Sequence, residues 1–188
     1  MRGLRFLTLG LLVSLTVLAV RPAKANILLE PYLGYELGKF SYATTPSSTS
    51  YDFSSAVLGA RVGYQFAMVF VAADYDLLLG GNLKNGTNGA PDSTVKGSQL
   101  FADVGVSLPL IRAYAGYGFV NSLTATANSF DTTSDGGSAF KLGVGTTILP
   151  LVAFNLEYIH TDYDKVTNST VKSSSNVYML NVSLPFNL

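Results

Sequence analysis

The chain ends on Tyr178-Met179-Leu180-Asn181-Val182-Ser183-Leu184-Pro185-Phe186-Asn187-Leu188. Every second residue from Tyr178 is apolar: Tyr178, Leu180, Val182, Leu184, Phe186 and Leu188. The interleaved set is Met179, Asn181, Ser183, Pro185 and Asn187, of which only Met179 is clearly apolar. Successive strand side chains point to opposite faces, so this spacing predicts a strand with one apolar and one polar side.

Seven earlier segments repeat the pattern. The first, about Ile27 to Phe40, sets Leu29, Pro31, Leu33, Tyr35 and Leu37 against Glu30, Tyr32, Gly34, Glu36 and Gly38. The second, about Ser54 to Phe66, sets Ala56, Leu58, Ala60, Val62, Tyr64 and Phe66 against Ser55, Val57, Gly59, Arg61, Gly63 and Gln65. Later segments hold Asp74 and Asp76, Asp103, Arg112 and Tyr114, Lys141, and Glu157 on the polar side, again opposite apolar rows. Short reversals at Ala67-Met68, Pro109-Leu110 and Pro150 alternate with long polar stretches. Ser41–Phe53, Leu79–Gly97, Asn121–Gly137 and Asp162–Ser175 read as loops, being rich in Ser, Thr, Gly and Asn. Eight strands with short turns at one end and long loops at the other predict an all-β fold, an eight-stranded antiparallel transmembrane up-and-down barrel.

Composition agrees. Charged residues are 13% of 188, about half of the roughly 25% usual in soluble domains. There is no Cys, so neither disulfides nor thiolate metal sites are available. Residues 1–25 read as a signal peptide: Arg2 and Arg5, the uncharged run Phe6 to Val20, then Ala23-Lys24-Ala25. Residues 26–188 form the barrel domain. Removing Arg2, Arg5, Arg21 and Lys24 from twelve basic residues leaves eight against twelve acidic, a net charge of −4. That excludes the basic footprint nucleic acid needs.

Alternation does not itself say which face is inside, since a soluble barrel would turn the apolar rows inward. Two features decide. The apolar rows carry no Asp, Glu, Lys or Arg, and a lipid-facing Arg or Lys costs ~2–4 kcal/mol at the bilayer midplane. The polar rows carry Gly34, Gly38, Gly59, Gly63, Gly105, Gly116, Gly118, Gly143 and Gly145. On a wet strand face glycine only weakens the strand; inside a narrow barrel it makes room for larger neighbours. Tyr75, Phe119, Tyr158 and Tyr178 fall toward the long-loop ends, and Tyr64, Phe66, Phe154 and Phe186 toward the short turns, as two interfacial girdles.

On EPYLGYELG (Glu30–Gly38), RAYAGYGF (Arg112–Phe119), FNLEYIH (Phe154–His160) and the final strand, the chain resembles the small outer-membrane β-barrel domain proteins related to the OmpA and OmpX barrels. The likeness runs from about Ile27 to Leu188 and lies in pattern more than in invariant motifs. It implies a bacterial outer-membrane location and insertion by the barrel-assembly machinery, which reads the last strand. Members usually end in Phe, whereas here Phe186 is followed by Asn187-Leu188.

The inward set contains Glu30, Glu36, Asp74, Asp76, Asp103 and Glu157 against Arg61, Arg112 and Lys141. A proton or cation path is one reading. A structural network filling a narrow interior is the reading adopted, because eight strands leave little space. A two-residue turn at Ala67-Met68 places Arg61 opposite Asp74, and the turn around Pro150 brings Lys141 opposite or diagonal to Glu157. His160, the only histidine, faces outward, and Thr161 points the other way. Asp162/Asp164 and Asp131/Asp135 match no calcium-loop spacing. The expectation is a non-enzymatic protein without catalytic residues, metal or cofactor. It would be a monomer among outer-membrane lipid and lipopolysaccharide, serving envelope integrity or surface contact. A narrow channel is the alternative, and a lipid-modifying enzyme a third.

Overall fold

The computed structural model describes residues 25–44, 47–84, 93–127, 130–149, 151–167 and 172–188. Of the signal-peptide reading of residues 1–25, residues 1–24 lie outside them, and Ala25 opens the first strand. Eight long strands form the staves: β1 (Ala25–Thr44), β2 (Ser47–Phe66), β3 (Val69–Lys84), β4 (Ser93–Ser107), β5 (Ile111–Ala127), β7 (Ser138–Leu149), β8 (Val152–Tyr163) and β10 (Lys172–Ser183). Three short strands, β6 (Phe130–Asp135), β9 (Lys165–Val166) and β11 (Phe186–Asn187), complete the set. Each stave pairs antiparallel with the next, and β1 pairs β10 from Tyr32↔Ser183 to Ala43↔Lys172, which closes the barrel.

The C-terminal stretch is interrupted. β10 stops at Ser183 and β11 resumes at Phe186, where it pairs with Leu28 and Leu29 of β1. Pro185 has no N–H for the ladder, which accounts for the break. Leu184 N still donates to Pro31 O at 3.0 Å, and Leu188 N to Ile27 O at 2.9 Å, so the seam is bonded to its last residue.

The outward rows are the apolar ones. Leu33, Val71, Val104, Leu142, Leu156 and Leu180 all lie on the outer surface. From Ile27 to Leu37 the apolar row on β1 spans eleven residues. At a rise of ~3.3 Å and a tilt of ~40° this gives roughly 25 Å, the height of the apolar band of such barrels. The row above it is polar: His160, Asn176, Lys39, Asp52 and Lys84 are neighbours across β8, β10, β1, β2 and β3. This row marks the outer membrane boundary.

Beyond that boundary the expected loops are largely strand. β1 and β2 continue as a hairpin to Thr44 and Ser47, β3 to Lys84, β5 to Ala127, and β6 pairs back onto β5. In this upper barrel the binary pattern inverts. Phe40, Phe53, Leu83, Val95, Leu123, Ala125 and Tyr163 point inward and are buried, while Ser50, Asn82, Thr94, Thr126 and Asp131 face out. Outside the bilayer the surface meets water, so the apolar face must turn to the interior. Two β-bulges make the change of phase on β3 and β5. Leu79 is the extra residue between Leu78 and Gly80 against β2, and Phe119 the extra residue between Gly118 and Val120 against β4.

Candidate functional site

Arg61 lies at the centre of the lumen. Strand periodicity aims it inward from β2, and the Ala67-Met68 turn sets Arg61 opposite Asp74 of β3. Its guanidinium bonds Asp74 Oδ2 through Nη2 at 2.7 Å and Asp103 Oδ2 through Nε at 3.1 Å. It also lies 3.3 Å from Glu30 and 3.4 Å from Glu157. The planar fork of Arg suits such shared carboxylates, and the ring of Tyr114 stacks 4.5 Å from it. Lys141 of β7 bonds Asp74 and lies 3.6 Å from Asp103, 3.7 Å from Glu157 and 3.9 Å from Asp76. Lys141 is diagonal to Glu157, because Glu157 pairs with Gly143. Arg112 closes the belt on Glu30 at 2.6 Å. Glu36 is buried with these groups but makes no ion pair.

Neutral groups missing from the charge list join the network. Tyr32 O–H contacts Asp74 and Asp76, and Tyr114 O–H donates to Glu157 Oε1 at 2.5 Å. Asn181 Nδ2 donates to the same oxygen at 2.7 Å, and Asn155 bonds Asn181 and Ser183. A signal for the aromatics was present in the register. Four large inward rings of the membrane-spanning half face a glycine: Tyr32↔Gly59, Phe70↔Gly105, Phe101↔Gly118 and Tyr114↔Gly143. A Cβ on Gly59 would lie 2.1 Å from Tyr32 Cζ, and one on Gly143 2.2 Å from Tyr114 Cζ. The glycines are the floor on which the rings lie.

Packed apolar side chains flank the charged belt on both sides. Toward the short turns Leu28, Phe70, Ala72 and Tyr114 pack together. Toward the long hairpins Met179, Val57, Phe101, Ile159, Val177 and Leu78 form one cluster with Phe40, Phe53, Leu83, Val95, Leu123 and Tyr163. Phe40 meets Tyr42 edge to face at 4.8 Å and Tyr163 at a tilt at 5.7 Å between ring centroids. Burial pushes the Tyr42 and Tyr163 hydroxyls above the usual phenol range. A void of about 10 Å³ is lined by Glu36 and Gln99 together with the plug residues Phe53, Leu78, Leu123 and Tyr163. It has room for about one water.

On the outer wall His160 Nδ1 bonds Asn176 Oδ1 at 2.8 Å, Nε2 lies 3.2 Å from Asp162 Oδ2, and Tyr158 O–H donates to Asn176 at 2.8 Å. Among the described residues neither ring nitrogen bonds a Ser or Thr hydroxyl. Among the described residues no group of three His, Asp or Glu is arranged to hold a metal ion.

A closed barrel with an uncharged apolar belt outside and ion pairs inside defines a transmembrane β-barrel protein. Residues 10–186 match the family described as outer membrane protein beta-barrel domain. The chain belongs to that family and is a protein of the bacterial outer membrane. Among solved structures it is similar to the Neisserial surface protein A, at 17% identity and TM-score 0.52, covering 83% of this chain and 97% of that one. It is also similar to Ail, the attachment invasion locus protein of Yersinia pestis, solved with the heparin analogue sucrose octasulfate. There the identity is 14% and the TM-score 0.58, over 86% of this chain and 99% of that one. Such likeness shows the fold. No curated protein matches the chain.

Proposed function

We propose that this protein is a non-enzymatic, non-conducting component of the outer membrane that presents a rigid surface turret, serving envelope integrity or surface contact. The observation that carries the reading is the upper barrel. Its hairpins are packed around an aromatic core of their own, beyond what spanning the bilayer requires. A scaffold that orders its extracellular strands this way holds their outer faces in fixed positions. Lipopolysaccharide is the molecule those faces meet first, since Lys39, Lys84 and His160 lie in the boundary row.

The outer face does not favour a polyanion of the kind bound by Ail. Its described charges are Lys39, Lys84, Lys96, Lys165 and Lys172 against Asp52, Asp131, Asp135, Asp162 and Asp164, with no cationic excess. It is instead rich in hydroxyls, with Thr124 and Thr133 hydrogen-bonded at 3.1 Å and Ser122 on Asp135 at 2.6 Å. The side chains that fill the lumen weigh against a channel. A histidine bonded to an amide and a carboxylate without a nucleophile weighs against a lipid hydrolase.

The natural absence of Cys allows a direct test. Ser50→Cys and Thr124→Cys should react with a membrane-impermeant maleimide on intact cells, and Ala67→Cys only after lysis. Cells lacking the protein should lose detergent resistance or adhesion. A barrel with trimmed β5–β6 hairpin should insert but fail to restore adhesion. Labelling of Ala67→Cys on intact cells would invert the topology, and wild-type adhesion and detergent resistance in cells lacking the protein would remove the proposed role.

A further inference from the structure

The lumen encloses six carboxyl groups and three bases, each no more than 5% exposed. A surplus of three negative charges is costly in a dry interior, and the carboxyls held least by the cations are the first to take up protons. The cations select which acids stay ionised. Arg112 serves Glu30; Arg61 and Lys141 both bond Asp74, and both also approach Glu157 and Asp103. Asp76 is reached only by Lys141, at 3.9 Å, and its Oδ2 has no hydrogen-bond partner. Among the described residues Glu36 has no ion pair, and its Oε1 has no hydrogen-bond partner.

Tyr32 supplies independent evidence. Its hydroxyl touches Asp74 Oδ1, at 2.6 Å, and also Asp76 Oδ1. A phenol has one proton, so it can donate to only one of the two carboxyls and must accept from the other. Asp74, held by two cations, is the ionised acceptor. Asp76 therefore brings its own proton.

We propose that Asp76 and Glu36 are proton-binding sites of the folded barrel, both held as neutral acids. In the chain that results, Asp76 O–H donates to Tyr32 and Tyr32 O–H donates to ionised Asp74. The groups that face this pair are Glu30 and Tyr32 from β1, Arg61 from β2, Asp74 from β3 and Asp103 from β4. Arg112 and Tyr114 from β5, Lys141 from β7, and Glu157 and Tyr163 from β8 complete the surroundings. β10 contributes Met179 and Asn181, which do not titrate.

Unfolding releases both protons above the ordinary carboxylate range near pH 4. The folded state then binds two more protons than the unfolded state, so stability falls as pH rises. The folding equilibrium constant should drop about 100-fold per pH unit until the folded sites themselves titrate. The test is urea unfolding of the purified full chain in phosphatidylcholine vesicles from about pH 6 to pH 9, in a His160→Gln background that removes the only histidine. Asp76→Asn and Glu36→Gln should each remove about one factor of ten per unit, and the double variant should remove both. At pH 6 either amide should fold as well as the parent, whereas Asp74→Asn should not. Infrared spectra of the parent should contain a protonated-carboxyl carbonyl band that fades at alkaline pH, a readout that needs no variant to fold. A parent without that band, a pH-independent parent, or equal losses from Asp76→Asn and Asp74→Asn at pH 6 would each overturn the proposal.

Discussion

Arg61 and Gly143 illustrate two ways in which a single inward position supports the barrel. Arg61 is buried completely and spreads one charge over several acids, so removing it leaves carboxylates without a partner. Breaking a buried pair typically costs ~3–5 kcal/mol, and Arg61→Ala should destabilise the barrel on that scale. Adding Asp74→Ala should recover part of the loss, because one orphaned carboxylate disappears. Strictly additive losses in the urea midpoints of that cycle would mean the two side chains do not interact. Gly143 acts by having no side chain: the Tyr114 ring occupies its Cβ position. Gly143→Ala should cost ~1–3 kcal/mol as overpacking, and the same urea midpoints measure it. Tyr114→Ala in that background should then give back some of the strain. The inward charges could be read from alternation alone. The Tyr–Gly pairs could not, because they require the register of two strands at once.

At the level of the strand, the membrane half was legible because lipid imposes a simple rule: apolar out, polar or glycine in. Leu33, Leu58, Val104 and Leu180 all obey it and are exposed. Val182→Arg should therefore cost ~2–4 kcal/mol if it lies near the midplane. Asn181→Arg, one residue earlier, projects toward Glu157, and a surplus of acid receives it. Equal losses in refolding stability from the two would contradict the assigned faces. Above the boundary the same strands were unreadable for two physical reasons. The exterior medium changes from lipid to water, so the pattern inverts, and a scan for apolar-out strands sees only polar loop. The bulges at Leu79 and Phe119 shift the parity besides, so Leu83 and Leu123 fall on the odd numbers of strands whose lower inward residues are even. In this upper half Val95→Asp should destabilise strongly while Thr94→Asp, exposed to water, changes little. Thermal scans of the two variants compare them directly.

Taken as a whole, the molecule is a barrel of two halves with opposite polarity that share one continuous wall. The lower half is solvated by lipid and filled with ion pairs; the upper half is solvated by water and filled with aromatic and aliphatic side chains. The plug in the upper half and the belt in the lower half lie on the same axis at different heights. Closure of this kind depends on neighbouring side chains from all eight staves, which is why the sequence could offer a conducting path and a filled interior as alternatives. Planar-bilayer recording on the purified chain separates them. A filled lumen gives no discrete conductance steps at any voltage the bilayer withstands, and Phe53→Ala with Phe40→Ala should leave it silent because the charged belt still lies across the axis below. Reproducible steps from the unaltered protein, cation-selective and changed by Lys141→Ala, would contradict a sealed barrel.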